Sequence, residues 1–260
     1  MSDHVGTHHT TAGEASMNRE RELAKAFVDL SDTYAPDFDP LRLFHRLVHS
    51  CRGLLDVDAA AVMVADARGT LKTMAATEDE AAFIELMQMQ TGHGPCMDCY
   101  RTGEGRSVPD IATEQERWPE LVTAMADAGY QSLHTVPLRL HDRALGALTL
   151  LNARTGLLPD GDLDLAQALA DSAALGLMHW SAEPRGDDVV TRVHGAIAAK
   201  SVLEVAKGMI AAYQGLPLHE AGRVLTDYAD RHQVSLSDTA QALVGRTLDP
   251  GVLAERAAGI

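Results

Sequence analysis

Aromatic side chains are scarce in this sequence: two Trp, five Tyr and four Phe make up 4% of its 260 residues. Few residues are therefore left to build an aromatic-lined nucleic-acid platform or sugar site. Cysteine is scarcer still. Cys51, Cys96 and Cys99 are an odd number in a chain of this size, which argues against a disulfide framework. Long apolar runs are missing too, since nothing approaches the roughly 18 consecutive residues of a membrane helix. The opening MSDHVGTHHTTAGEAS has no apolar signal core. A cytoplasmic protein without a membrane partner is expected. Positive charge is also short: 22 Lys and Arg stand against 37 Asp and Glu, a net of −15. That balance opposes non-specific binding of phosphate backbones by the chain as a whole. No Ser-His-Asp arrangement, phosphate loop or paired catalytic carboxylate is recognisable, so no enzyme is expected.

What remains is enough to fold. With 46% hydrophobic and 23% charged residues, the chain has the balance of an ordinary soluble protein of one large or two smaller domains. Residues 1–17 are polar, carry no apolar period and predict a disordered tail. From Asn18 to Leu30, apolar residues recur at helical spacing. A second helix follows in DPLRLFHRLVHSCRGLLDVD, where Pro40 suits a first turn and Leu41, Phe44, Leu47, Val48 and Cys51 share a face. Two hairpins come next. One is split at Asp66–Gly69 and the other turns at His141–Arg143, with helices expected between them at Glu78–Gln90 and Trp118–Ala128 and an irregular Gly-rich stretch at Thr91–Pro109. An acid-capped helix, DGDLDLAQALADSAALGLMHW, completes a unit over residues 18–180. Hairpins joined through helices predict an antiparallel sheet with flanking helices, the α+β class.

Residues 181–188 contain Pro184 and Gly186 and predict a linker. Residues 189–248 predict three helices and 249–260 a tail. The first helix runs six or seven turns from Val189 and stops near Gln214-Gly215. The second follows Pro217, and the third has Ser235 as N-cap and Gly245 as its end. Tyr213 and Tyr228 fall on the apolar stripes. Three helices over so few residues make a marginal core, one that leans on a neighbour or on a second copy.

Two families are resembled. VPLRLHDRALGALTLLN with the helix after it, together with GHGPCMDCYRTGEGRSVPDI, resembles the GAF domains common in actinobacterial regulators. That resemblance implies a sensory fold and leaves its ligand unknown. VLEVAKGMIAAYQGLPLHEAGRVLTDYADRHQVSLSDTAQALV resembles an ANTAR domain. The matching positions are Ala206, Lys207 and Gly208; Gly215, Glu220 and Ala221; Tyr228 and Ala229; and Leu236, Asp238 and Ala240. This second resemblance implies a three-helix module that binds RNA hairpins in nascent transcripts, promotes antitermination and works as a homodimer. Lys200, Lys207, Gly208, Arg223, Arg231 and Ser235 are the candidate RNA contacts. Within residues 189–248 six Lys and Arg face five Asp and Glu, a net of +1 against −16 for the rest, so the acidity lies outside the module. The chain departs from the family at Gln233, Val234, Ser235 and Ser237, where relatives carry basic residues.

His93, Cys96 and Cys99 form the other constellation. A C-x-x-C pair supports metal binding or dithiol cycling, with His93 as a third ligand, or else the two cysteines are small buried residues at the Gly94-Pro95 turn. The signal taken by the sheet unit is accordingly a small molecule or a redox change, and the cofactor is unknown. Two rival functions stay open. The cysteines allow a thiol enzyme on a GAF scaffold, similar to the free methionine sulfoxide reductases, and the missing basic residues allow a protein-binding adaptor.

Overall fold

The computed structural model describes residues 8–32, 38–78, 83, 86–87, 90, 92–179 and 189–254. Helix α1 spans His8–Ser31, so it begins inside the segment expected to be an unstructured tail. No proline interrupts this stretch, and once packing fixes the later turns each added residue costs little to propagate. Helix α2, Pro40–Leu54, starts as its sequence predicts. Asp39 is the N-cap, Pro40 occupies the first turn, and Leu41, Phe44, Leu47, Val48 and Cys51 are buried along one face.

Strands β1 (Ala59–Ala65) and β2 (Leu71–Ala76) form the first hairpin. Strands β4 (Ser132–Leu140) and β5 (Arg143–Asn152) form the second. Short β3, Arg106–Val108, completes an antiparallel sheet of order β2-β1-β5-β4-β3. Every residue of β1 is buried because both sheet faces are covered. Ala60, Val62 and Val64 face α1, α2 and α5 (Asp160–His179), while Ala59 and Ala61 face Leu121, Met125 and Ile111 on the other side. Sheet pairing leaves no room for a side chain at one position. At Gly146, paired with Val64, a Cβ would sit 1.9 Å from the Met63 carbonyl oxygen.

Between the hairpins the stretch expected to be irregular holds α3, Pro95–Thr102, as well as β3. Helix α3 lies between two left-turning glycines, Gly94 (φ 117°) and Gly103 (φ 70°). Helix α4, Pro119–Asp127, follows a 3₁₀ turn at Ile111–Glu114. The helix expected at Glu78–Gln90 falls mostly outside the described residues.

The C-terminal unit is helical throughout. Helices α6 (Val189–Gln214), α7 (Leu218–His232) and α8 (Leu236–Val244) stand as predicted, followed by a short α9, Pro250–Ala254, in the expected tail. Leu253 of α9 is buried. Their core of Leu203, Ala206, Ile210, Leu225, Ala229, Ala240 and Leu243 is continuous with the core under the sheet unit. Tyr228 packs partly buried against it, but Tyr213 does not: it is 61% exposed near the end of α6, where the stripe has drifted off the buried face.

Candidate functional site

Three of the candidate contacts meet in one place. Lys200 and Lys207 lie on α6, seven residues apart, and share a face of the helix. With Arg223 of α7 they line a cleft of about 710 Å³. Glu204, between the two lysines, takes Lys200 Nζ at 2.7 Å on Oε1 and Lys207 Nζ at 3.2 Å on Oε2. Burial works against its charge, but the two ammonium groups outweigh that effect and hold the carboxyl below its ordinary value. The stem of Lys207 crosses Gly222 of α7, where a Cβ would come 3.1 Å from Lys207 Cε. Gly222 thus leaves the room that lays Lys207 along the cleft.

The other three candidates sit elsewhere. Around Gly208 nothing comes within 4 Å of where a Cβ would be, so its surface is open. Arg231 is exposed outside the cleft and its Nε donates to the Asp227 carbonyl at 3.1 Å. Ser235 caps α8, its hydroxyl accepting from Asp238 N at 3.1 Å. The same hydroxyl donates to Asp39 Oδ2 at 3.0 Å, and Ser237 N donates to that oxygen at 2.6 Å. Because Asp39 Oδ1 accepts from Leu41 N at 2.7 Å, one buried carboxylate caps the first turns of two helices from the two units. Arg42 of α2 also pairs with Asp230 of α7.

Asp39, Arg42, Asp230 and Glu204 were not among the predicted site residues. Asp39 before Pro40 is legible as a cap for its own helix, but nothing local reveals that its second oxygen serves residues 196 and 198 positions away. Ser235 and Ser237, which stand where the resembled family has basic residues, are the residues that make this seam.

His93, Cys96 and Cys99 are not brought together. His93 is exposed in a smaller cleft of about 290 Å³ with Arg117 and Trp118, where the Arg117 guanidinium lies 4.3 Å over the indole. Cys96 and Cys99 are buried beneath β5 on α3 and are free thiols. Cys96 Sγ donates to Gln90 Oε1 at 2.6 Å and also meets Thr149 Oγ1 at 2.8 Å. Burial pushes the Cys96 thiol up to about 12. It pushes Cys99 to about 11 against the opposing pull of Thr135, Arg106 and Arg139. Among the described residues no three His, Cys, Asp or Glu side chains gather as a metal set.

A sheet-based unit is thus fused to a helical module, with hydrogen bonds and a continuous core across the seam. The GAF domain model matches residues 39–177 and the ANTAR domain model residues 191–244; the chain belongs to the GAF family and carries an ANTAR domain after it. It is a signal-sensing regulator with an RNA-binding output. Among solved structures it is similar to the GAF domain of a phosphoenolpyruvate-protein phosphotransferase from Coxiella burnetii. The two are 17% identical, with 63% of this chain and 94% of that one covered at a TM-score of 0.51. The GAF domain of the Acinetobacter phosphoenolpyruvate-protein phosphotransferase is 12% identical, with 69% and 95% covered at a TM-score of 0.48. No curated protein matches the chain. Among the described residues no helix is long and apolar enough to cross a membrane.

Proposed function

We propose that this protein is a cytoplasmic transcription antitermination regulator. Its helical module binds RNA hairpins in nascent transcripts, as a homodimer, and its sheet unit controls that binding in answer to a small-molecule signal. The observation that carries the proposal is the convergence of Lys200, Lys207 and Arg223 on one cleft of the ANTAR module. Three cations on two packed helices suit the contour of a phosphate backbone and position it without reading sequence. Their coupling to the sensor runs through Asp39, whose hydrogen bonds to Ser235 and Ser237 tie the first turn of α8 to α2. A signal that shifts α2 moves the wall of this cleft, a two-state element at a domain seam. The thiol-enzyme alternative and a redox signal find little support in buried thiols with raised pKa values.

Filter binding of the full chain to a tandem-hairpin RNA tests the proposal. Affinity should fall with salt, and Lys207→Ala should weaken binding uniformly across hairpin sequences while lowering the salt slope by about 1. Absence of salt-dependent RNA binding by the wild type, with and without the isolated signal, refutes it. An RNA-binding protein that fails to restore read-through of a terminator in a reporter transcript would lose the antitermination step alone.

A further inference from the structure

The cleft that holds Lys200, Lys207 and Arg223 has a second wall. Arg46 and the His45–His49 pair of α2 face it from the sheet unit. Basic groups from two units thus look at each other across one space, in a chain whose net charge is −15. Like charges juxtaposed at an interface are unfavourable unless something negative lies between them. The protein's own carboxylates meet that demand only in part. Glu204 serves the two lysines, Asp230 is taken by Arg42, and Asp227, which also lines the cleft, faces both Arg46 and Arg223, so cations remain in excess. Arg223 has no ion-pair partner among the described residues, and Arg46 spends one N–H on the Asp29 carbonyl at 3.1 Å. His45 and His49 approach Nε2 to Nε2 at 3.0 Å, a geometry in which one ring donates and the other accepts.

We propose that this cleft between α2 and the α6–α7 pair binds a small polyphosphate anion, either inorganic or the polyphosphate chain of a nucleotide. At about 710 Å³ it lies within the range of small-molecule sites. Leu203 and Met74, also in the lining, supply an apolar floor on which a base would rest. A folded RNA reaches these cations when the two units separate, whereas in this docked form the Arg42–Asp230 pair joins α2 to α7 and the hydrogen bonds of Asp39 hold α8 to α2. Bound polyphosphate bridges the two units and occupies Lys200 and Lys207, so it competes with RNA for the cations invoked above.

The test is isothermal calorimetry on the full chain with tripolyphosphate, nucleoside triphosphates and inorganic phosphate as probes, in the absence of RNA. Tripolyphosphate or a nucleoside triphosphate should bind, with affinity falling as salt rises. Arg46→Ala and Lys200→Ala should each weaken binding about tenfold, and Lys25→Ala, on α1, should leave it unchanged. A nucleoside triphosphate that binds tighter than tripolyphosphate marks a nucleotide; equal affinities mark the bare polyphosphate. Absence of binding at millimolar probe, or binding indifferent to Arg46→Ala and Lys200→Ala, overturns the proposal. So does loss of RNA affinity in Arg46→Ala when polyphosphate itself fails to bind, since the cleft is then part of an RNA groove. Because the calorimetry contains no RNA, a failure of the RNA-binding proposal leaves its outcome standing.

Discussion

Cys51, Cys96 and Cys99 are all buried, and burial raises their thiols to about 12, 12 and 11 from an ordinary 9.0. At pH 8 a thiol of pKa 12 is about one part in ten thousand thiolate, roughly a thousandfold less than a free one. Iodoacetamide at pH 8 should therefore label none of the three in the folded protein and all three after denaturation, as read by mass spectrometry. Rapid labelling of Cys96 in the native state would reopen the redox alternative. The same shifts set a pH dependence. The native state holds these protons more tightly than the unfolded chain does, so up to about pH 9 the thiols leave stability level, and above it they lower stability as pH rises toward 11–12. Denaturation midpoints from pH 7 to 10.5 should fall less steeply in the Cys96→Ala, Cys99→Ala double variant. At the same scale two glycines make opposite demands. Gly146→Ala drives a Cβ into the Met63 carbonyl and should cost about 3 kcal/mol in urea denaturation. Gly208→Ala meets open space inside a helix and should gain about 1 kcal/mol. If RNA approaches α6 closely at Gly208, the same methyl weakens RNA binding despite the added stability, a split that a packing role would not produce.

Elements differ in how much of themselves they write into the sequence. Both hairpins are legible because pairs of short apolar runs are split by polar turns, and the long α6 because a 26-residue helix repeats its stripe many times. Strand β3 has three residues on a sheet edge and α3 has eight between two glycines, too few for any period to emerge. Apolar periodicity marks the buried face of a helix and not its full extent, so the sequence shows α1 only from Asn18 although it begins at His8. At the site, Lys207 was legible through its Ala-Lys-Gly context, while Asp39 was not, because its role depends on a contact between the first and last quarters of the chain. Helix α8 shows the consequence. Its cap hydroxyl bonds both to its own first turn and to Asp39. Ser235→Ala should then cost more than the ~1 kcal/mol of an ordinary N-cap, because it also removes a partner from a buried carboxylate. In Asp39→Ala, where that partner is already gone, the same change should cost only the cap, and urea titrations of the two single variants and the double variant measure the difference.

At the scale of the whole molecule, the continuous core and the Asp39 seam make the orientation of sensor and output one equilibrium rather than two. In the docked form Lys200, Lys207 and Arg223 face α2 across the cleft, so RNA must compete with the sensor for access to them. If docking exceeds undocking by about 1.4 kcal/mol, RNA affinity is reduced about tenfold relative to a free module. Asp39→Ala removes the acceptor of Ser235 Oγ and Ser237 N and should shift the equilibrium by about that amount. Two measurements on the full chain decide the matter together. Hydrogen exchange at the Ser237 amide should accelerate in Asp39→Ala, and affinity for a tandem-hairpin RNA should rise about tenfold. Faster exchange with unchanged or weaker RNA affinity would mean that the seam stabilises the protein without governing its output. The sensor's signal would then have to reach the RNA-binding helices by the other junction, where α5 leads into α6.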